Sequence, residues 1–115
     1  MAIRIVSAVT FAVRDMNRSV EFYAKLGFDN TFRADDDSFA TMRSDEAYVN
    51  LVLTADYREN WWGRAILRVD SADEQYRRVV EAGFEADTPR DAPWGERFFH
   101  MRDPDGHELS FAELL

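Results

Sequence analysis

Apolar and small side chains alternate along the start of the chain. Val9, Phe11 and Val13 fall on one side and Thr10 and Ala12 on the other. A period of two is that of a half-buried strand, and the predicted strand runs from Arg4 to Val13. The spacing then widens to a helical one, with Val20, Tyr23 and Leu26 as the buried stripe. Asp15 or Asn17 supplies the N-cap, and Gly27 ends the helix in the left-handed conformation that glycine adopts most easily. Phe28–Arg33, Ser38–Arg43 and Ala47–Thr54 read as three further strands. An acidic turn at Asp35, Asp36 and Asp37 and a second turn at Ser44 and Asp45 separate them.

The order then repeats. Val13 to Phe28 has a counterpart 56 residues later in Val69 to Phe84: Val13 matches Val69, Gly27 matches Gly83 and Phe28 matches Phe84. Arg64–Val69 is predicted as a strand. Ser71 and Glu74 form a capping box for a helix whose buried face is Tyr76, Val79 and Val80, and Gly83 stops it. Phe84–Asp87 reads as a short strand and Thr88–Gly95 as a loop holding Pro89 and Pro93. Glu96–Arg102 is a strand, Asp103–Gly106 (DPDG) a tight turn, and Glu108–Leu114 the last strand. The expected fold is α+β: one domain over residues 1–115, made of two tandem βαβββ modules at about 1–56 and 63–115. Ala55 to Gly63 is the linker, and a duplicated fold of this kind is expected to carry its cleft between the halves.

Charge and composition narrow the function. The net charge of −8 argues against nucleic acid, since phosphate binding needs an excess of Lys and Arg. It is compatible with a cationic small molecule, and equally with plain solubility. The chain has no cysteine, which removes disulfides, thiolate metal sites and cysteine nucleophiles, and it has no apolar run near the ~18 residues of a membrane span. The N-terminus leads into a strand rather than a signal peptide, and the lack of cysteine fits the cytoplasmic protein that is expected.

Three passages carry a family resemblance: VTFAVRDMNRSVEFYAKLGF at Val9–Phe28, LRVDSADEQYRRVVEAGF at Leu67–Phe84 and PWGERFFHMRDPDGHELSFAE at Pro93–Glu113. Together they resemble the vicinal-oxygen-chelate superfamily, which contains glyoxalase I, extradiol dioxygenases, and bleomycin and fosfomycin resistance proteins. The resemblance implies that each module curls half a barrel around a cleft. It also implies a homodimer with the clefts near the subunit interface, strand exchange being one way to build it.

Enzymes of this family commonly hold a divalent metal through His, Gln or Glu. The resemblance places those positions at Ala8, Asn50, Arg64 and Ser110. Ala8 has no donor atom, Arg64 is a permanent cation, and Asn50 and Ser110 are weak neutral ligands, whereas a catalytic site wants about three strong ones. The two histidines, His100 and His107, read as surface or hydrogen-bonding residues; a site built from His100 with Glu96 or Glu108 is the alternative. No cofactor, metal ligand or catalytic residue is therefore expected. Metal-free relatives include proteins that sequester bleomycin, a glycopeptide with a cationic tail, and Pro93-Trp94-Gly95 resembles that subgroup.

The candidate ligand-binding residues are Phe32, Phe39, Asn50, Trp62, Arg64, Trp94, Phe98, Glu108 and Ser110. Strand alternation sends one of Phe98 and Phe99 to the core and the other to the cleft. Trp61, Trp62 and Trp94 are either packing or a stacking wall. An inward Arg64 needs a partner, with Glu108 on the same face as the protein candidate and a ligand carboxylate or phosphate as the alternative. The favoured function is sequestration of a planar aromatic, cationic or antibiotic-like small molecule. Its rivals are a metal-dependent lyase, isomerase or dioxygenase, a metal-free enzyme using Arg64 with Glu108 or Glu96 for acid–base work, and a module with no ligand.

Overall fold

The computed structural model describes the whole chain, Met1–Leu115. It divides into two compact units, Met1–Tyr57 and Arg58–Leu115. The first contains β1 (Val9–Val13), α1 (Met16–Leu26), β2 (Asp29–Arg33), β3 (Phe39–Ser44) and β4 (Ala47–Leu53). Its sheet runs β1-β4-β3-β2, with β1 parallel to β4 and the other pairs antiparallel. The second contains β5 (Arg64–Arg68), α2 (Ala72–Glu81), β6 (Arg90–Ala92), β7 (Glu96–Arg102) and β8 (Glu108–Leu114), in the equivalent order β5-β8-β7-β6. Each unit is thus a βαβββ module, and the fold is α+β as expected.

Both predicted N-caps form. Asp15 accepts from the Arg18 N–H at 3.0 Å to start α1, and Ser71 accepts from the Glu74 N–H at 3.2 Å to start α2. Gly27, at φ 118°, donates back to the Ala24 and Tyr23 carbonyls and closes α1. A second anchor comes from β8, where Glu113 accepts from the Ala72 N–H at 2.8 Å, inside the first turn of α2.

One face of each sheet packs on its helix. In the first unit Phe11, Val13, Ala40, Met42, Val49 and Leu51 are buried there, with Tyr23 of α1 stacked on Phe11 at 5.8 Å. In the second, Phe99 stacks on Phe111 at 5.2 Å and meets the Tyr76 ring edge-on at 5.6 Å. Each such fully buried large side chain contributes roughly 1.5–3 kcal/mol relative to exposure.

Four sequence expectations change. The first strand begins at Val9, not Arg4. The parallel register matches Val9 to Val49, and β4 begins only two residues earlier, so residues 4–6 have no partner strand in this unit. The buried stripe of α1 is Met16, Ser19, Phe22, Tyr23 and Leu26, with Val20 at its margin. In α2 the buried residues are Ala72 and Val79, whereas Val80 is exposed. Finally, Phe84–Asp87 is not a strand. Only the bridge Ala86↔Met101 forms there, and the edge strand is β6, inside the segment expected to be a loop. Pro89 separates the two stretches, and a residue without an N–H cannot continue a ladder.

Candidate ligand-binding face

Cross-strand register lines up side chains on the helix-free face of each sheet. In the first unit one row is Thr10–Asn50–Thr41–Phe32 and the next includes Val52–Phe39. Phe32 and Phe39 touch, with ring centroids 6.2 Å apart. The Asn50 amide is already committed: its Oδ1 accepts from the Thr41 hydroxyl at 2.9 Å, and its Nδ2 donates to Thr10 Oγ1 at 3.4 Å. Beside it lies a groove of about 460 Å³, lined by Ile5, Ala8, Arg43, Tyr48 and Asn50 among others. Arg43 donates to the Asp45 carbonyl and lies over the Tyr48 ring. Within this groove the Asn50 amide and Arg43 Nε are thus engaged by the protein itself.

The acidic turn is also knitted to itself. Asp36 accepts from the Ser38 hydroxyl at 2.6 Å and from its N–H at 3.0 Å, and these bonds hold its carboxyl below the ordinary range. Asp37 pairs with Arg33 at 2.8 Å.

The second unit presents a different surface. Its rows are Arg64–Glu108–Arg102, Ile66–Ser110–His100 and Arg68–Ala112–Phe98–Arg90. Along β7 the alternation puts Phe99 in the core at 0% exposure and Phe98 on the helix-free face. There an aromatic row forms. Trp94 stacks on Phe98 at 5.9 Å with 27° between planes, and Phe98 meets His100 at 5.2 Å. The Arg90 guanidinium sits 4.3 Å from the Phe98 centroid, within cation–π range. Trp94 stays 68% exposed although its indole N–H is fixed to Glu96 at 2.7 Å. A large apolar surface held in one orientation and left in water is the kind of surface a ligand can cover.

Arg64 and Glu108, paired by the sheet register, form a 3.0 Å ion pair. The same oxygen, Glu108 Oε2, accepts from the Trp61 indole at 3.2 Å. Burial pushes the Glu108 carboxyl up, but the Trp61 and Arg64 contacts together outweigh it and leave it below its ordinary range. His100 moves the other way. Its Nδ1 is buried without a partner, and burial, followed by the neighbouring Arg64 charge, pulls the imidazole below its usual value.

Trp62 belongs to another constellation. Its indole N–H donates to Nδ1 of the buried His107 at 2.7 Å, and the His107 N–H is held by Asp103 at 2.9 Å. Among the sequence candidates, then, the structure gathers Trp94 and Phe98 in one row and Arg64 and Glu108 in another. It puts Ser110 in the row between them, at 3% exposure, and ties Trp62 to the DPDG turn. Phe32, Phe39 and Asn50 belong to the first unit's face. Arg90 joins the second unit's constellation without having been singled out, and with it come Trp61, expected as packing or a stacking wall, and His100, expected as a surface or hydrogen-bonding residue. His100 was detectable from its two-residue offset to Phe98.

The sequence matches the family model of the glyoxalase/bleomycin resistance protein/dioxygenase superfamily over residues 5–111. The chain belongs to this superfamily. Its fold is shared with several solved structures. One is a bleomycin resistance determinant encoded on the transposon Tn5, at 21% identity and TM-score 0.84, covering 96% of this chain and 98% of that one. Another is a bleomycin-binding protein complexed with bleomycin, at 20% identity and TM-score 0.82, covering 98% and 100%. A third is TioX from Micromonospora sp. ML1, at 26% identity and TM-score 0.81, covering 94% and 97%. No curated protein matches the sequence.

The divalent metal common among the superfamily's enzymes does not fit the residues present. At the four positions, Ala8 offers a methyl group and the Asn50 oxygen is engaged by Thr41. Arg64 is a cation locked to Glu108, and Ser110 is a buried hydroxyl. The alternative partners of His100 are engaged as well: Glu96 by Trp94 and Arg68, and Glu108 by Trp61 and Arg64. Nowhere do three His, Asp or Glu side chains converge as a ligand set.

Proposed function

We propose that this chain is a metal-free binding protein that sequesters a planar aromatic small molecule. The observation that carries the reading is the exposed Trp94, hydrogen-bonded to Glu96 and stacked on Phe98 at the head of an aromatic row. Stacking a planar ligand on such a preorganised platform costs little side-chain entropy, because Glu96 already fixes the indole. One structural neighbour is a bleomycin-binding protein complexed with bleomycin, and by analogy of fold this chain too holds a small-molecule ligand. Phe98 and His100 extend the platform. No residue is given a catalytic role, since the aromatic row contains no nucleophile and His100 has no hydrogen-bonded carboxylate at its Nδ1 to form an acid–base pair.

The test is a calorimetric titration of metal-free bleomycin and of the uncharged probe biphenyl-4-carboxamide, with tryptophan fluorescence followed in parallel. Saturable binding of at least one, abolished by Trp94→Ala, is the expected result. The proposal fails if neither binds saturably, or if Trp94→Ala leaves binding unchanged.

A further inference from the structure

The acidic composition suggests a cationic ligand, but on the helix-free face of the second sheet arginines and carboxylates balance. Its strands place four arginines there, Arg64, Arg68, Arg90 and Arg102, against two glutamates, Glu96 and Glu108. Asp87 and Glu59, from outside these strands, pair with Arg90 and Arg102. Arg64 is left in a distinct state. Its Nε donates to Glu108, so the side chain is aimed, yet both terminal nitrogens of its fork have no protein partner. Glu108 cannot easily give more, because the oxygen facing Arg64 also accepts from Trp61. The third neighbour, His100, is held toward its neutral form by burial and then by Arg64 itself, so it adds no charge of its own beside the fork.

We propose that this site takes an elongated aromatic acid: the ring system lies on Trp94 and Phe98, and a carboxylate is held by the terminal nitrogens of Arg64. This rests on the aromatic-binding reading above and adds the sign of the ligand's charge and its shape. A guanidinium fork matches the two oxygens of a carboxylate, and such charge-assisted pairs are the stronger hydrogen bonds. The shape follows from the sheet. The Phe98 row and the Arg64 row are separated by the single row Ile66–Ser110–His100, so each step between rows spans about 7 Å along the strands. A single ring cannot stack on Phe98 and reach Arg64, whereas a biaryl or fused polycyclic acid can. A cationic group in the same place meets Arg64 instead of a free carboxylate.

Three probes of one shape decide the matter: biphenyl-4-carboxylate, biphenyl-4-carboxamide and 4-(aminomethyl)biphenyl, titrated calorimetrically into the wild-type chain and into Arg64→Gln and Arg64→Lys. The carboxylate is expected to bind on the order of tenfold or more tightly than the amine. Arg64→Gln abolishes that preference and Arg64→Lys restores part of it, while carboxamide binding changes little in either. Circular dichroism confirms that each variant is folded. Equal or tighter binding of the amine, or a carboxylate preference that survives in folded Arg64→Gln, overturns the proposal. If the carboxamide still binds in a Trp94-dependent way in that case, the aromatic-binding reading stands alone. If no probe binds, the proposal falls, and the aromatic-binding reading falls with it when bleomycin does not bind either.

Discussion

Trp62 donates its indole N–H to His107 Nδ1 at 2.7 Å, and His107 is 3% exposed. An acceptor nitrogen carries no proton, so this contact fixes the side of the imidazole that stays bare. It also fastens the segment before β5 to the DPDG turn. There, Asp103 accepts from the N–H groups of Asp105 and His107, and a Cβ on Gly106 would run into the Glu59 side chain. Trp62 thereby acts on stability within the second unit.

Replacing Trp62 by Phe keeps most of the apolar contact and removes the donor. The buried His107 nitrogen then loses this partner, at a cost of about 1–3 kcal/mol. Urea unfolding should show the midpoint falling, while the affinity for an aromatic probe changes little. A large loss of affinity in a protein of unchanged stability would instead put Trp62 in the ligand site.

His100 gives a pH signature. Its folded-state value lies below the ordinary imidazole value, chiefly through burial and then through Arg64. The unfolded chain therefore binds a proton more readily than the folded one. Stability is expected to be fully present above the unfolded value of about 6.5 and to decline as pH falls below it. Asp87 and Glu108 act in the opposite sense on the same ring, and Arg90 in the same sense as Arg64. An NMR titration of the imidazole should place His100 below a free histidine, and Arg64→Gln should move it upward. A titration unmoved by Arg64→Gln would contradict the arrangement.

Metals should leave the protein unaffected. Adding millimolar Mn²⁺, Ni²⁺ or Zn²⁺ should shift the melting temperature by no more than about 1 °C. A specific site filled at a hundredfold excess over its Kd would add about 2.7 kcal/mol, worth several degrees. Such a stabilisation, lost on Asn50→Ala or Glu108→Ala, would show that a ligand set forms after all.

Local chemistry made much of the fold legible. Asp15 and Ser71 cap helices because their side chains reach the backbone three residues on, and Gly27 and Gly83 take positive φ as helix-ending glycines do. The Arg64–Glu108 pairing follows from strand alternation, which also separates Phe98 from Phe99. What local pattern does not carry is register and partnership. Arg4 to Val6 continues the alternation of a strand but has no neighbour to pair with in its unit. Arg90–Ala92 looks like loop, flanked as it is by Pro89 and Pro93, yet β7 extends far enough to hold it as an edge. The Trp62–His107 bond joins residues 45 apart in sequence, and no periodicity announces such a contact. The aromatic row was half visible: Trp94 and Phe98 from their types, but not Arg90, which reaches Phe98 only because β6 pairs with β7.

The most direct test of sequestration by the Trp94–Phe98 platform is one calorimetric titration of biphenyl-4-carboxylate into the wild-type chain and into Trp94→Ala. The account predicts saturable heat at one ligand per chain for the wild type, with the ligand recovered chemically unchanged, and little or no heat for the variant. Identical isotherms for both proteins, or no saturable heat from either, would contradict it.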